Sequence, residues 1–104
     1  MFVEVLRFRV PLTHQIAFLQ ADAEIWTPVL SGYTGFAGKE VWRNAADPEE
    51  ISLAIHWTSR AQWKAIPTTV LAETEQQFQQ TLGTVYPIQQ SLEYQVLEKF
   101  SQSP

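Results

Sequence analysis

The chain reads as an α+β domain of ferredoxin-like architecture, with segment order βαββαβ, a four-stranded antiparallel sheet and helices on one face. Three observations predict this. Ile51, Leu53, Ile55 and Trp57 alternate with Ser52, Ala54 and His56, the period of a half-buried strand. Ile16, Leu19, Ala23, Trp26 and Leu30 recur three and four apart, the period of an amphipathic helix. Glycines and prolines then separate these segments from their neighbours.

Residues 2–10 (FVEVLRFRV) are rich in β-branched and aromatic side chains and predict a first strand, ended by Pro11. Residues 13–31 predict a helix, its apolar stripe widened by Phe18, Ile25 and Val29. Pro28 lacks a backbone donor, so a kink or break is expected near Trp26-Thr27. Gly32 and Gly35 bracket a turn around Tyr33, and residues 36–43 (FAGKEVWR) predict a second strand. The cluster from Asn44 to Pro48 predicts a turn before the strand at 51–57. Ser59 with Gln62 forms a capping-box pattern opening a short helix to about Ile66, which Pro67 stops. Thr68 or Thr69 is expected to cap the next helix, with Leu71, Glu75, Phe78 and Leu82 on one side and Gly83 at its end. Residues 88–97 predict a last strand, with Leu92, Tyr94 and Val96 in phase. The tail Ser101-Gln102-Ser103-Pro104 is expected to fray, leaving one domain with an ordered core at about residues 2–98.

At 104 residues one domain is expected. There is no cysteine, so neither disulfides nor thiolate chemistry are available, and thirteen aromatic residues must supply the core. A net charge of −4 argues against a binder that tracks nucleic-acid phosphates. No apolar run is long enough to span a membrane, and Met1-Phe2-Val3-Glu4-Val5 lacks the pattern of a secretory leader, so a cytoplasmic location is expected. The absence of cysteine, clustered histidine and a glycine-rich phosphate loop predicts no bound metal, flavin or haem.

Both faces of the sheet are apolar. On the first strand Val3 and Val5 oppose Leu6, Phe8 and Val10; on the second, strict alternation puts Phe36 and Trp42 on one face and Ala37 and Val41 on the other. Helices cover one face only, so a second copy of the same sheet is expected to cover the other.

Three segments, GFAGKEVW at 35–42, WTSRAQWKAIP at 57–67 and YPIQQSLEYQV at 86–96, resemble the dimeric α+β barrel superfamily. Within it the chain resembles the antibiotic biosynthesis monooxygenase-like group, closest to its small bacterial members of no established activity. The resemblance covers Phe2 to about Leu97. It implies a homodimer in which two sheets face each other. Members of the family with known roles include cofactor-free oxygenases of polycyclic phenols and enzymes that degrade haem, while others have no established activity, so the resemblance does not fix the function. The haem-degrading pattern needs an Asn on the first strand and a Trp and a later His on the second helical region. Here the one Asn is Asn44, Ile66 stands where the Trp should be, and no His follows His56.

On this basis a ligand cleft is expected between the two sheets, on the face away from the helices. His56 opposes the apolar row of its strand and is the candidate general base. Arg7 and Arg9 oppose the apolar row of theirs and could hold an anionic or phenolate ligand. A hairpin centred near Asp47 places Trp42 opposite Ser52 and Glu40 opposite Ala54, which brings both to the face of His56; a slip of one residue reverses this. His56 and Arg7 would then line one ligand site, with Trp42 as a stacking wall and Glu40 offsetting the arginines. The plainer readings are a satisfied His56 at a dimer interface and arginines paired with partner carboxylates such as Glu40 or Glu93. His14 reads as a surface imidazole. Trp26, Trp57 and Trp63 read as packing residues, and Glu49, Glu50, Glu73 and Glu75 as solvated. The function expected is small-molecule binding, with cofactor-independent monooxygenation of an aromatic or phenolic substrate as its chemistry. The alternative is a non-enzymatic dimeric binding or regulatory module.

Overall fold

The computed structural model describes residues 1–101, so the last three residues of the expected frayed tail lie outside the described part. Strands β1 (Phe2–Arg9), β2 (Phe36–Asn44), β3 (Asp47–Trp57) and β4 (Gln90–Gln95) form one antiparallel sheet in the order β2-β3-β1-β4. A 3₁₀ turn at Leu12–His14 leads into α1 (Gln15–Ala21), a π-helical turn (Asp22–Trp26) and α2 (Thr27–Ser31). Helices α3 (Arg60–Lys64) and α4 (Thr68–Leu82) lie between β3 and β4 in the chain. The four-stranded antiparallel sheet and segment order agree with the expectation from sequence. No helix is long and apolar enough to cross a membrane among the described residues.

The helical stretch is rotated from the predicted stripe. Its buried positions are Gln15, Phe18, Ala21, Asp22, Ile25 and Leu30, whereas Ile16 is 82% exposed. Gln15 can be buried because its polar atoms are used. Its amide donates to the carbonyls of Val10 and Pro48, and its oxygen accepts from Arg43. Pro28 does not break the helix. The turn before it widens, and the Thr27 N–H bonds the Asp22 carbonyl five residues back. The π turn thus sits next to the proline that interrupts the usual bonding.

Two irregularities set the register of β2 on β3. One lies between Phe36 and Gly38, and puts Phe36 against Trp57 on the helix side, not on the face of Trp42 as strict alternation predicts. The other lies between Arg43 and Asn44, where Asn44 already pairs with Asp47. It accommodates Pro48, which has no donor for the ladder. Trp42 still meets Ser52, and Glu40 meets Ala54.

The helix ends follow ordinary capping rules. The Ser59 hydroxyl accepts from the Gln62 N–H at the start of α3, and Gly83 ends α4 at φ 72°, a left-handed conformation that glycine adopts without strain. The cap of α4 is Pro67 rather than Thr68 or Thr69, which are already helical. The core lies between sheet and helices, with Phe8, Val10, Phe18, Ile51, Leu53 and Phe78 at one end and Leu30, Ile55, Trp57 and Ile66 at the other. A smaller cluster, Val3, Val5 and Ala54 with Leu92 and Val96, lies on the opposite face.

Candidate functional site

Between the two ends of the core the packing is left open. A cavity of about 470 Å³ lies between the sheet and the helices. Leu6, Leu53 and Ile55 line it from the sheet, and Trp26, Trp63 and Phe78 from the helices. Four ionisable side chains also line it: Glu4, Asp22, Lys39 and Glu75. They come from β1, the π turn, β2 and α4.

Strand parity explains Glu4. It shares the helix-facing row of β1 with Leu6 and Phe8, so its carboxyl must enter the apolar layer. Burial raises its pKa from 4.5 to about 7; Lys64 lowers it somewhat and Glu93, its cross-strand neighbour, raises it. Glu93 is itself held below the usual carboxylate range by Arg60, whose guanidinium donates to it at 3.0 Å. Lys64 stands 3.8 Å from Glu93 and 4.0 Å from the centre of the Trp63 ring, a cation–π contact on a residue of the cavity wall.

Asp22 and Lys39 form an ion pair of 2.7 Å whose side chains are only 3% and 6% exposed. Lys39 also donates to the Thr27 hydroxyl at 3.0 Å. Burial pushes the Asp22 carboxyl upward and the Lys39 ammonium offsets part of this; the second carboxylate oxygen, Oδ1, has no partner among the described residues. Burial likewise raises Glu75, with polar contacts to Gln79 and Trp26 opposing it. The expectation that Glu75 is solvated is therefore corrected, because α4 turns it toward the cavity.

An apolar chamber holding a carboxyl that titrates near neutrality can bind a flat organic molecule and take a proton from it. The family profile described as antibiotic biosynthesis monooxygenase matches residues 1–69, which include β1 to β3 and α3. The chain belongs to the antibiotic biosynthesis monooxygenase family. The heme-degrader MhuD from Mycobacterium tuberculosis, solved with two hemes in its active site, is similar in fold at a TM-score of 0.72 and 19% identity, covering 97% of this chain and 100% of that one. SnoaB from Streptomyces nogalater, a cofactor-independent oxygenase, gives 0.68 and 13% identity, covering 97% of each chain. An antibiotic biosynthesis monooxygenase-like protein of Bordetella bronchiseptica gives 0.71 and 15%, covering 93% of this chain and 97% of that one. No curated protein matches the chain. At these identities the likeness is one of fold.

In this family member, the residues singled out from sequence lie across the sheet from the cavity. His56, Glu40 and Trp42 do share one face, in the expected register, and His56 Nε2 lies 3.3 Å from Glu40 Oε1. Arg7 is not part of that group. It pairs with Ser52, whereas His56 pairs with Val3, four residues and about 13 Å farther along β1. Arg7 instead donates to Gln90 at 2.7 Å, and Arg9 pairs with Asp47 and Glu49 of its own chain. A joint His56–Arg7 ligand site is therefore not formed within the chain, because shared parity does not bring residues to the same height on a strand. The suggested arginine partners are likewise engaged elsewhere, Glu40 with His56 and Glu93 with Arg60 and Lys64. Trp57 is fully buried, as expected, while Trp26 and Trp63 are half-buried walls of the cavity.

The four ionisable residues of the cavity were missed by the sequence reading. For Glu4 a signal existed: one charge in an otherwise apolar row of a strand. For Asp22 the signal was masked, since the rotated helix and the π turn direct its side chain inward.

Proposed function

We propose that this family member binds a flat phenolic molecule in the cavity between sheet and helices and oxidises it with dioxygen, with Glu4 as the base. The observation that carries this reading is a carboxyl with a pKa of about 7 inside an apolar chamber. Such a group is part-ionised at neutral pH and can accept a phenolic proton in a largely apolar site. The resulting phenolate gives one electron to dioxygen. The radical pair joins by a carbon–oxygen bond at the position para to the hydroxyl, giving a peroxide anion. Loss of the para C–H proton to the departing oxygen as the O–O bond breaks leaves a quinone and hydroxide. The hydroxide takes the phenolic proton held by Glu4 and leaves as water, so one phenol and one dioxygen are consumed together. Phenols suit the cavity better than haem does. Neither imidazole lines it: His14 is bonded to Tyr86, and His56 faces the other way.

The test is titration with 1-naphthol, read by the fluorescence of Trp26 and Trp63 in the cavity wall. Saturable quenching is expected, with oxygen uptake and 1,4-naphthoquinone as product. No binding of any hydroxynaphthalene or hydroxyanthracene would overturn the reading; binding without oxygen uptake would leave a binding module.

The far face of the sheet supports a homodimer, and we propose that a second copy covers it. Val3, Val5 and Leu92 lie there beside Trp42 and Tyr94, which are 46% and 50% exposed. Light scattering should give twice the chain mass at micromolar concentration, and Trp42→Asp should shift the protein toward monomer. A wild-type monomer would refute the dimer and leave the cavity reading intact.

A further inference from the structure

Glu4 and Lys39 lie in one cross-strand row. Glu4 pairs with Ile55 from one side, and Lys39 pairs with Ile55 from the other. All three line the cavity. Two interstrand spacings separate Glu4 from Lys39, about 10 Å between Cα atoms, with the Ile55 side chain as an apolar floor between them. A flat ring laid on Ile55 would therefore meet the carboxyl at one edge and the ammonium at the other.

Lys39 is equipped for this. It is the only cationic residue among those lining the cavity. Asp22 and Thr27 take two of its three protons, and no third acceptor is within hydrogen-bond reach among the described residues. The Asp22–Lys39 pair is neutral overall, so it does not hinder entry of an uncharged phenol. It becomes useful when Glu4 takes the phenolic proton. The negative charge then spreads to the para position, at the Lys39 edge, in a chamber whose lining is mostly apolar.

We propose that Lys39, held in place by Asp22, stabilises the negative charge and the oxygen atom that appear at the para carbon, at the edge of the bound ring opposite Glu4, and so favours phenols whose para carbon bears hydrogen and can take up that charge. This rests on the cavity being the ligand site. Lys39 acts on the reacting molecule; Asp22 is a positioning residue.

The test uses para-nitrophenol as a probe that binds without turnover, since it has no para C–H; its phenolate has its own visible absorption and carries charge on the nitro oxygens. Bound to the wild type it should ionise at lower pH than free in solution. Lys39→Met alone would leave Asp22 as an unpaired buried charge, which works against folding. The double variant Asp22→Asn/Lys39→Met removes both charges together. It should still bind the probe, with about tenfold less phenolate at a given pH. If the double variant binds and ionises the probe as the wild type does, the role of Lys39 is refuted while the cavity stands. If the wild type binds 1-naphthol but not this probe, the inference falls alone; if it binds neither, the cavity reading and the inference fall together.

Discussion

Replacing Glu4 with Gln should lower kcat for phenol oxidation by about 10²–10⁴-fold, the contribution of a positioned general base. The substitution keeps size and shape, so affinity for an uncharged phenol should change little. What is lost is the positioned acceptor for the phenolic proton in a largely apolar chamber. The remaining activity should also lose its rise with pH near 7, since that rise follows ionisation of this carboxyl. Oxygen-electrode rates across pH 5–9, for wild type and variant with the same phenol, decide the matter. Equal rates and equal profiles would remove Glu4 from the chemistry.

The same substitution should make the fold more stable, and the direction follows from linkage. A carboxyl whose pKa is 4.5 when unfolded and about 7 when folded holds its proton more tightly in the native state. Between those values the native protein binds more protons than the unfolded chain, so stability falls as pH rises through the window and levels off above it. The rise in pKa corresponds to about 3 kcal/mol at pH 8. The amide that replaces the carboxyl does not titrate. The variant should match the wild type near pH 4 and exceed it by up to that amount at pH 8, in urea unfolding. Asp22 and Glu75 are raised as well, so both proteins keep a residual slope in the same direction. The difference between their curves isolates Glu4. Stability gained as activity is lost is what a residue kept for chemistry should show.

The sheet was legible in the sequence because strand period, proline stops and capping residues each act locally. Ile51, Leu53, Ile55 and Trp57 reveal their strand without reference to anything distant, and Trp42 met Ser52 as expected. The position of the cavity was not legible, for two physical reasons. Parity tells which face a residue takes but not its height, so Arg7 and His56 looked like neighbours and are not. The helix-facing layer was read as solid core. Whether it is filled depends on how far the helices stand from the sheet, which no single segment encodes. The departures from the haem-degrading pattern at Asn44 and Ile66 are legible only through the family resemblance, since neither spacing nor period marks them.

The helix rotation itself has a large and testable consequence. Phe18 is fully buried, with the rings of Phe8, Phe78 and Tyr86 centred 5.4, 5.5 and 5.4 Å away. Edge-on and tilted contacts of this kind add to the gain from burial. Phe18→Ala should cost about 3–5 kcal/mol, because Phe8 is fixed by the sheet and Phe78 by α4, so the gap closes only in part. Phe18 also lines the cavity, so the vacated space joins the ligand chamber. For a domain with about 5–15 kcal/mol in total, that brings it near the limit of folding. Ile16→Ala, two residues earlier, should change stability by no more than about 0.5 kcal/mol, since its side chain is in solvent. The apolar spacing in the sequence placed Ile16 in the core stripe and gave Phe18 a secondary place. Urea unfolding of the two variants separates the alternatives. A large loss at Ile16 and a small one at Phe18 would restore the simple stripe and rotate Asp22 away from Lys39.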